Sequence, residues 1–89
     1  MTVRKIYHDA LKKVFCEKLL EIRSAESLTQ TKMANALLMD ERSYVDLEHG
    51  KTGCSGVTLA LFLIYICKDV PKFLADLYVV FESSKKPVV

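Results

Sequence analysis

The sequence predicts one all-helical domain, and three observations lead to this prediction. The chain has 89 residues, which is the length of a single domain. It contains only 3 glycines and 2 prolines, so the turn residues that separate β-strands are scarce. Apolar residues instead recur at steps of three and four positions, which is the spacing of one helix face. We therefore expect five helices in a single domain that spans residues 1–89.

The first predicted helix covers residues 3–24. Its apolar positions, among them Ile6, Ala10 and Val14, follow the helical step and form one stripe that faces the core. Lysines and glutamates occupy the other side. This charged side is either simply solvated or contributes lysines that contact phosphates.

Two short helices are predicted at residues 30–37 and 41–48, and each follows a residue suited to capping it. The side chains of Thr29 and Asp40 can accept hydrogen bonds from free backbone N–H groups at a helix start. Gly50 is suited to the left-handed position that follows a helix end. The residues of this pair expected to face inward are Met33, Ala34, Leu37, Tyr44 and Leu47.

Two further helices complete the predicted fold. The fourth covers residues 56–68, and either Cys54 or Ser55 caps it. The fifth starts near Pro71, because proline is tolerated in a first turn, and runs to about residue 82. Residues 83–89 are expected to form a frayed tail.

The composition bears on the location of the protein. The apolar run at residues 57–67 is too short to cross a bilayer and is typical of a helix buried on all sides. The N-terminus shows no apolar segment of the kind found in signal peptides. The odd number of cysteines, Cys16, Cys54 and Cys67, argues against a disulfide framework and favours buried thiols. We expect a cytoplasmic protein without membrane association.

The segment around the two short helices carries three landmarks. Leu28-Thr29-Gln30 opens the second helix, the pair Met33-Ala34 follows, and Glu48-His49-Gly50-Lys51 closes the third helix. With this spacing, residues 19–52 resemble the helix-turn-helix of Cro and phage repressors, whose core here is residues 29–50. The resemblance implies a five-helix lambda-repressor-like DNA-binding domain. In such a domain the first short helix crosses the DNA backbone and the second enters the major groove.

The resemblance also implies which residues bind double-stranded DNA. Arg42 matches a base-reading position, where arginine can bond guanine through O6 and N7. Gln30 opens the second helix, where a phosphate is favoured. Arg23 and Glu48 match positions that form a structural salt bridge in the family. The residues implied to contact bases or phosphates are Gln30, Lys32, Glu41, Arg42, Ser43, Asp46 and Lys51.

Two features depart from the family pattern. Leu38 stands in the turn where the family often has glycine, and a left-handed conformation there costs leucine roughly 1–2 kcal/mol. The sequence therefore predicts an altered turn. The presumed reading face also carries Glu41 and Asp46, which repel the phosphates that supply most of the affinity. Compensating lysines, weak DNA binding and a protein partner remain as alternatives.

The fourth and fifth helices are more apolar than a small monomer needs, and 51% of the chain is hydrophobic. We expect a symmetric homodimer that places two recognition helices about one duplex turn apart, and the alternative is a monomer whose fifth helix folds onto the core. The helices at residues 55–82 would supply both core and dimer contacts. The expected contact residues, all on the fifth helix, are Phe73, Leu77, Tyr78 and Phe81.

The expected function is that of a sequence-specific transcriptional regulator, most simply a repressor on a palindromic operator. The alternative is a helix-turn-helix module or antitoxin whose main partner is another protein, which the acidic third helix favours. No sensor region is predicted, so a separate protein effector is a possible source of regulation. His8 and His49 lack clustered metal ligands, and the cysteines lack a partner base. We therefore expect no enzyme activity, metal or cofactor.

Overall fold

The computed structural model describes residues 3–84, and these residues form an all-helical structure. Within this range there are five α-helices and no strand, as the sequence predicted. A π-helical turn directly follows the fourth helix. The helices are α1 (Val3–Ala25), α2 (Gln30–Ala36), α3 (Glu41–Glu48), α4 (Gly56–Leu61) and α5 (Val70–Ser84), and the π-helical turn is Phe62–Ile66.

The core lies where the long helices α1 and α5 pack together and receive the short helices. Phe62 lies at its centre, fully buried, with its ring 4.9 Å from that of Phe15 and 5.2 Å from that of Phe73. Both ring pairs meet edge to face, which is a favourable arrangement for aromatic side chains. All five residues predicted to face inward from the second and third helices are buried, as expected: Met33, Ala34, Leu37, Tyr44 and Leu47.

Three short helices begin at a side chain that accepts a hydrogen bond from the first turn. Thr29 Oγ1 accepts from the Lys32 N–H at 3.1 Å, and Asp40 Oδ1 accepts from the Ser43 N–H at 2.9 Å. Ser55, one of the two candidates for α4, caps that helix. Caps of this kind contribute about 1 kcal/mol each, which is substantial for helices of six to eight residues.

Helices α1, α2 and α3 end in the same arrangement, with one residue in the left-handed region. These residues are Ser27, Leu38 and Gly50, with φ of 54°, 57° and 73°. At Leu38 the turn closes through two hydrogen bonds, from the Leu38 N–H to Asn35 O and from the Met39 N–H to Ala34 O. The prediction of an altered turn at Leu38 was therefore wrong, because these bonds hold leucine in the conformation that glycine ordinarily adopts.

Several predicted boundaries also need correction. The fourth helix does not remain α-helical to residue 68, because the Cys67 N–H donates to Phe62 O at 2.8 Å, a bond across five residues. Helix α5 extends through Ser84, and the hydroxyls of Ser83 and Ser84 donate to backbone carbonyls one turn earlier. The predicted frayed tail was therefore wrong at these two residues. Its remaining part, residues 85–89, lies outside the described residues.

The apolar run at residues 57–67 is not buried on all sides, contrary to the sequence prediction. Val57, Ile64 and Tyr65 are 70%, 70% and 72% exposed, although Phe62 between them is buried. Within the π-helical turn, Phe62 is thus directed into the core while Ile64 and Tyr65 face solvent. None of the helices within residues 3–84 combines the length and apolar character needed to cross a membrane.

The three cysteines are free and only half-buried. The sequence predicted buried thiols, and this prediction was wrong because all three side chains are partly exposed. Burial of the Cys54 thiol is nevertheless sufficient to raise its pKa, which disfavours the reactive thiolate.

Candidate nucleic-acid interface

Helices α2 and α3 pack directly against each other and are joined by a short turn. Ala34 is buried where the two helices meet, and its small side chain allows the backbones to approach closely. Tyr44 and Leu47 project from α3 into the core. The buried side of α3 is therefore fixed by packing, and its opposite side is left to face outward.

An ion pair connects the end of α1 to the end of α3. Arg23 Nε donates to Glu48 Oε2 and Arg23 Nη2 donates to Glu48 Oε1, both at 2.8 Å. The Glu48 side chain is only 2% exposed, whereas that of Arg23 is 25% exposed. This two-bond geometry fixes the orientation as well as the distance of the two groups. It is the pairing that the sequence resemblance implied.

The surroundings of the pair favour its charged form. Burial by itself would raise the pKa of Glu48, but the hydrogen bonds from Arg23 hold that pKa below its ordinary value. The hydrogen bond to Glu48 likewise raises the pKa of Arg23. Burial, followed by the nearby Glu48 carboxylate, raises the pKa of Tyr44 far above its usual range. Tyr44 therefore stays neutral beside the pair at physiological pH.

Gln30 is half-buried and belongs to the same neighbourhood. Its amide is among the groups that lower the pKa of Glu48. The sequence resemblance implied a phosphate contact for Gln30, and its amide also lies near enough to Glu48 to influence that carboxylate. Sequence reasoning missed Gln30, because it lies on a different helix from Glu48. It also missed Tyr44, although the spacing of four residues between Tyr44 and Glu48 on α3 was a usable signal.

The outward side of α3 brings together four of the residues predicted to contact DNA. Glu41, Arg42, Asp46 and Lys51 line an open cavity of about 400 Å³, together with Val45. Arg42 and Lys51 are exposed, so their cationic ends are accessible to a large ligand. Two cations and two anions share this surface, and its formal charge is therefore zero.

The carboxylate of Glu41 is already engaged within the chain. It accepts a hydrogen bond from the hydroxyl of Thr31, which links the first turn of α3 to the first turn of α2. A carboxylate in the first turn of a helix is also favoured by the helix dipole. Glu41 therefore has a role in positioning α3 against α2. Sequence reasoning missed Thr31, because its contact with Glu41 joins two different helices.

The remaining two predicted contact residues lie apart from the cavity. Lys32 and Ser43 are exposed in the first turns of α2 and α3 and do not line it. Their backbone N–H groups donate to the caps Thr29 and Asp40. Any contact they make with a phosphate must therefore come from the side chains.

The residues predicted to form a dimer contact on α5 mostly face the protomer itself. Phe73 is 1% exposed and belongs to the core, so its assignment to a surface was wrong. Leu77 packs against the core, and the Phe81 ring lies 4.9 Å from that of Tyr7 on α1. Of the four residues, Tyr78 is the one that is largely exposed, at 65%. Helical spacing correctly predicts an apolar stripe on α5. In the structure this stripe packs against α1.

Within residues 3–84, no three histidine, cysteine or acidic side chains are grouped so that they could hold a metal ion. No protein-family model matches the chain, and neither a curated protein nor a solved structure matches it significantly. The function must therefore be inferred from the residues and geometry of the chain itself.

Proposed function

We propose that the five helices form a lambda-repressor-like domain of the Cro type and that the protein is a sequence-specific DNA-binding transcriptional regulator. The observation that carries this proposal is the helix pair α2–α3, which is fixed inside by Ala34, Tyr44 and Leu47 and exposes Arg42 outside. A helix that is held rigidly on one side and polar on the other is suited to the major groove.

Arg42 is the proposed base-reading residue. Its exposed guanidinium lies beside the open surface formed with Asp46 and Lys51. A guanidinium can donate two parallel hydrogen bonds to guanine O6 and N7. Asp46 can accept from cytosine N4, and Lys51 can contact a phosphate at the edge of the groove. Glu41, which is held by Thr31, acts mainly by keeping α3 in place.

The charge of the surface limits the affinity. Because the cavity beside α3 has no net charge, attraction to phosphates must come from lysines outside it, including Lys32 and those on α1. Residues 1–23 contain 6 basic and 3 acidic side chains. Lys5, Lys18 and Arg23 form ion pairs within the chain, so Lys12 and Lys13 are the lysines of α1 proposed for this purpose. We expect affinity to fall with salt, since phosphate neutralisation releases counterions.

A dimer is the natural form of such a regulator. Two copies related by a twofold axis present two α3 helices, and a palindromic operator repeats its half-site about 34 Å along the duplex. We propose repression from a palindromic operator in the cytoplasm, with regulation by protein concentration or a separate protein effector.

The test is selection of bound sequences from random duplex DNA at low salt, followed by titration of the selected site with three proteins. These are the wild type, Arg42→Ala, and the matched control Arg4→Ala, which removes the same charge from the exposed start of α1. A twofold-symmetric site whose binding is weakened about tenfold or more by Arg42→Ala, but little by Arg4→Ala, supports the proposal. Equal effects of the two substitutions would show that Arg42 contributes only general charge.

The second candidate is a helix-turn-helix module that binds another protein, as an antitoxin does. The equal number of acidic and basic side chains around the α3 cavity favours it over a tight DNA binder. In that case the random-duplex selection yields no enriched sequence, and any residual binding is weak, salt-sensitive and indifferent to Arg42→Ala.

A further inference from the structure

An exposed apolar surface lies on the turn between α2 and α3, where Leu38 meets the end of α4. Four residues line an open cavity of about 470 Å³: Ala36, Leu38, Leu61 and Tyr65. We call these four residues the Leu38 surface. None of the four carries a charge, and residues 56–66 between α3 and α5 contain no charged side chain at all. This surface is separate from the polar cavity beside Arg42.

Two unusual backbone conformations create the Leu38 surface. Leu38 has a left-handed φ of 57° and is 80% exposed, so an unfavourable conformation presents a large apolar side chain to solvent. The π-helical turn places Tyr65 outward at 72% exposure while keeping Phe62 in the core. Strained and π-helical segments are concentrated at functional sites. Here both converge on one apolar surface.

We propose that the Leu38 surface binds a second copy of this chain. The surface contains both a projecting group, Leu38, and a hollow bounded by Ala36, Leu61 and Tyr65. In a twofold contact the same patch serves both partners, so Leu38 of each copy can enter the hollow of the other. The same apolar residues are thereby buried on both copies, so one patch supplies both sides of the contact.

The absence of charge on the patch fits this occupant. An uncharged surface meets its own copy without repulsion, whereas a nucleic acid requires cations that the Leu38 surface does not have. A standard interface removes about 800 Å² from each partner and consists of an apolar centre with a polar rim. The Leu38 surface supplies the centre, and the exposed polar residues beside it in sequence, Asn35 and Asp40, belong to the rim.

The alternative face on α5 is less suited to the same role. Its exposed hydrophobic residues, Leu74, Tyr78 and Val79, are 50%, 65% and 60% exposed. They share the helix with Lys72 and Asp76, which form an ion pair at 3.2 Å. The inference names the contact surface of the dimer proposed above, and to that extent it rests on the proposed function. Its test uses no DNA, so it can fail without any failure of operator binding.

The experiment is sedimentation equilibrium of the full chain over a range of concentrations up to about 100 μM, because self-association depends on concentration. Wild type is compared with Leu38→Lys and Tyr65→Lys, and with Val79→Lys on α5 as the matched control. All three side chains are exposed in the protomer, and far-ultraviolet circular dichroism verifies that each variant retains the helical fold.

We expect wild type to sediment at twice the 10.1-kDa chain mass at the higher concentrations. Both substitutions on the Leu38 surface should weaken association by about tenfold or more, while Val79→Lys changes it by less than about threefold. Wild type that remains at 10.1 kDa throughout overturns the inference. So does a Val79→Lys effect that equals or exceeds the effects of the other two.

Discussion

The helix pair α2–α3 and the segment formed by α4 and its π-helical turn are both short. They differ in how completely their side chains are buried or paired within the protomer. In the first region, apolar residues are buried and the one buried carboxylate, Glu48, is paired with Arg23. In the second, one side chain, Phe62, anchors the segment while Tyr65 and its neighbour Ile64 are exposed to water. Apart from the exposed Ala36 and Leu38 at its turn, the first region is complete within the protomer. The second region, together with that turn, has apolar surface left for a partner.

The largest expected effect tests the anchoring role of Phe62. Phe62→Ala removes a fully buried ring that contacts two other aromatic rings, and we expect it to lower the free energy of unfolding by about 3–5 kcal/mol. Tyr65→Ala, in the same turn, should change it by less than about 0.5 kcal/mol in the monomer. Urea unfolding at low protein concentration measures both. Comparable losses from the two substitutions would remove the proposed contrast between anchor and exposed surface.

The next effect concerns the ion pair that completes the first region. Arg23→Ala leaves the Glu48 carboxylate buried without its partner, and we expect a loss of about 2–3 kcal/mol because the pair is only partly buried. Arg42→Ala removes an exposed arginine and should change stability by less than about 0.5 kcal/mol. If both variants unfold at the wild-type urea concentration, the Arg23–Glu48 pair does not stabilise the fold.

The same pair gives a dependence on pH. The pKa of Glu48 is lower in the folded protein than its ordinary value of 4.5, so the unfolded chain binds more protons between these two values. The stabilisation is therefore fully present above about pH 4.5 and is lost as the pH falls through the folded pKa. The stability difference between wild type and Arg23→Ala should shrink on acidification. If this difference in the free energy of unfolding stays constant from pH 7 down to the lowest pH at which both proteins are folded, the Arg23–Glu48 pair is not its source.

The smallest expected effects concern the left-handed residues. Leu38→Gly relieves an unfavourable conformation and removes a side chain that is 80% exposed, so the monomer should become more stable by about 0.5–1 kcal/mol. Gly50→Ala should do the opposite, because φ is 73° and an added Cβ would lie 3.3 Å from Cys16 Sγ. Thermal unfolding of dilute protein measures both effects: the melting temperature should rise for Leu38→Gly and fall for Gly50→Ala. Destabilisation by Leu38→Gly would show that Leu38 already has compensating contacts within the protomer.

The two regions also differ in how well the sequence predicts them. The caps Thr29 and Asp40, the left-handed Gly50 and the inward residues of α2 and α3 follow from local rules, and all are found in the structure. The pairing of Arg23 with Glu48 entered through the family resemblance. These features depend on residues close in sequence or on a motif with fixed spacing.

The features that the sequence did not predict depend on long-range packing. An unbroken apolar run cannot indicate which of its members face water, and the π-helical turn at Phe62–Ile66 settles this only through contacts of Phe62 with Phe15 and Phe73. Likewise, helical spacing identifies a stripe on α5 but not whether α1 or a second chain covers it. The hydrogen bond between Thr31 and Glu41 joins two helices, and no rule for a single helix indicates it.

The π-helical turn has an evolutionary consequence. A turn closed by a bond across five residues holds one residue more than an α-helical turn, so it differs from a regular helix by a single residue. Loss of one residue between Phe62 and Cys67 would restore the α-helical bond between the same two ends. Chains that gained or lost this residue would keep the core unchanged while exchanging the outer surface, so the partner surface can diverge without cost to the fold.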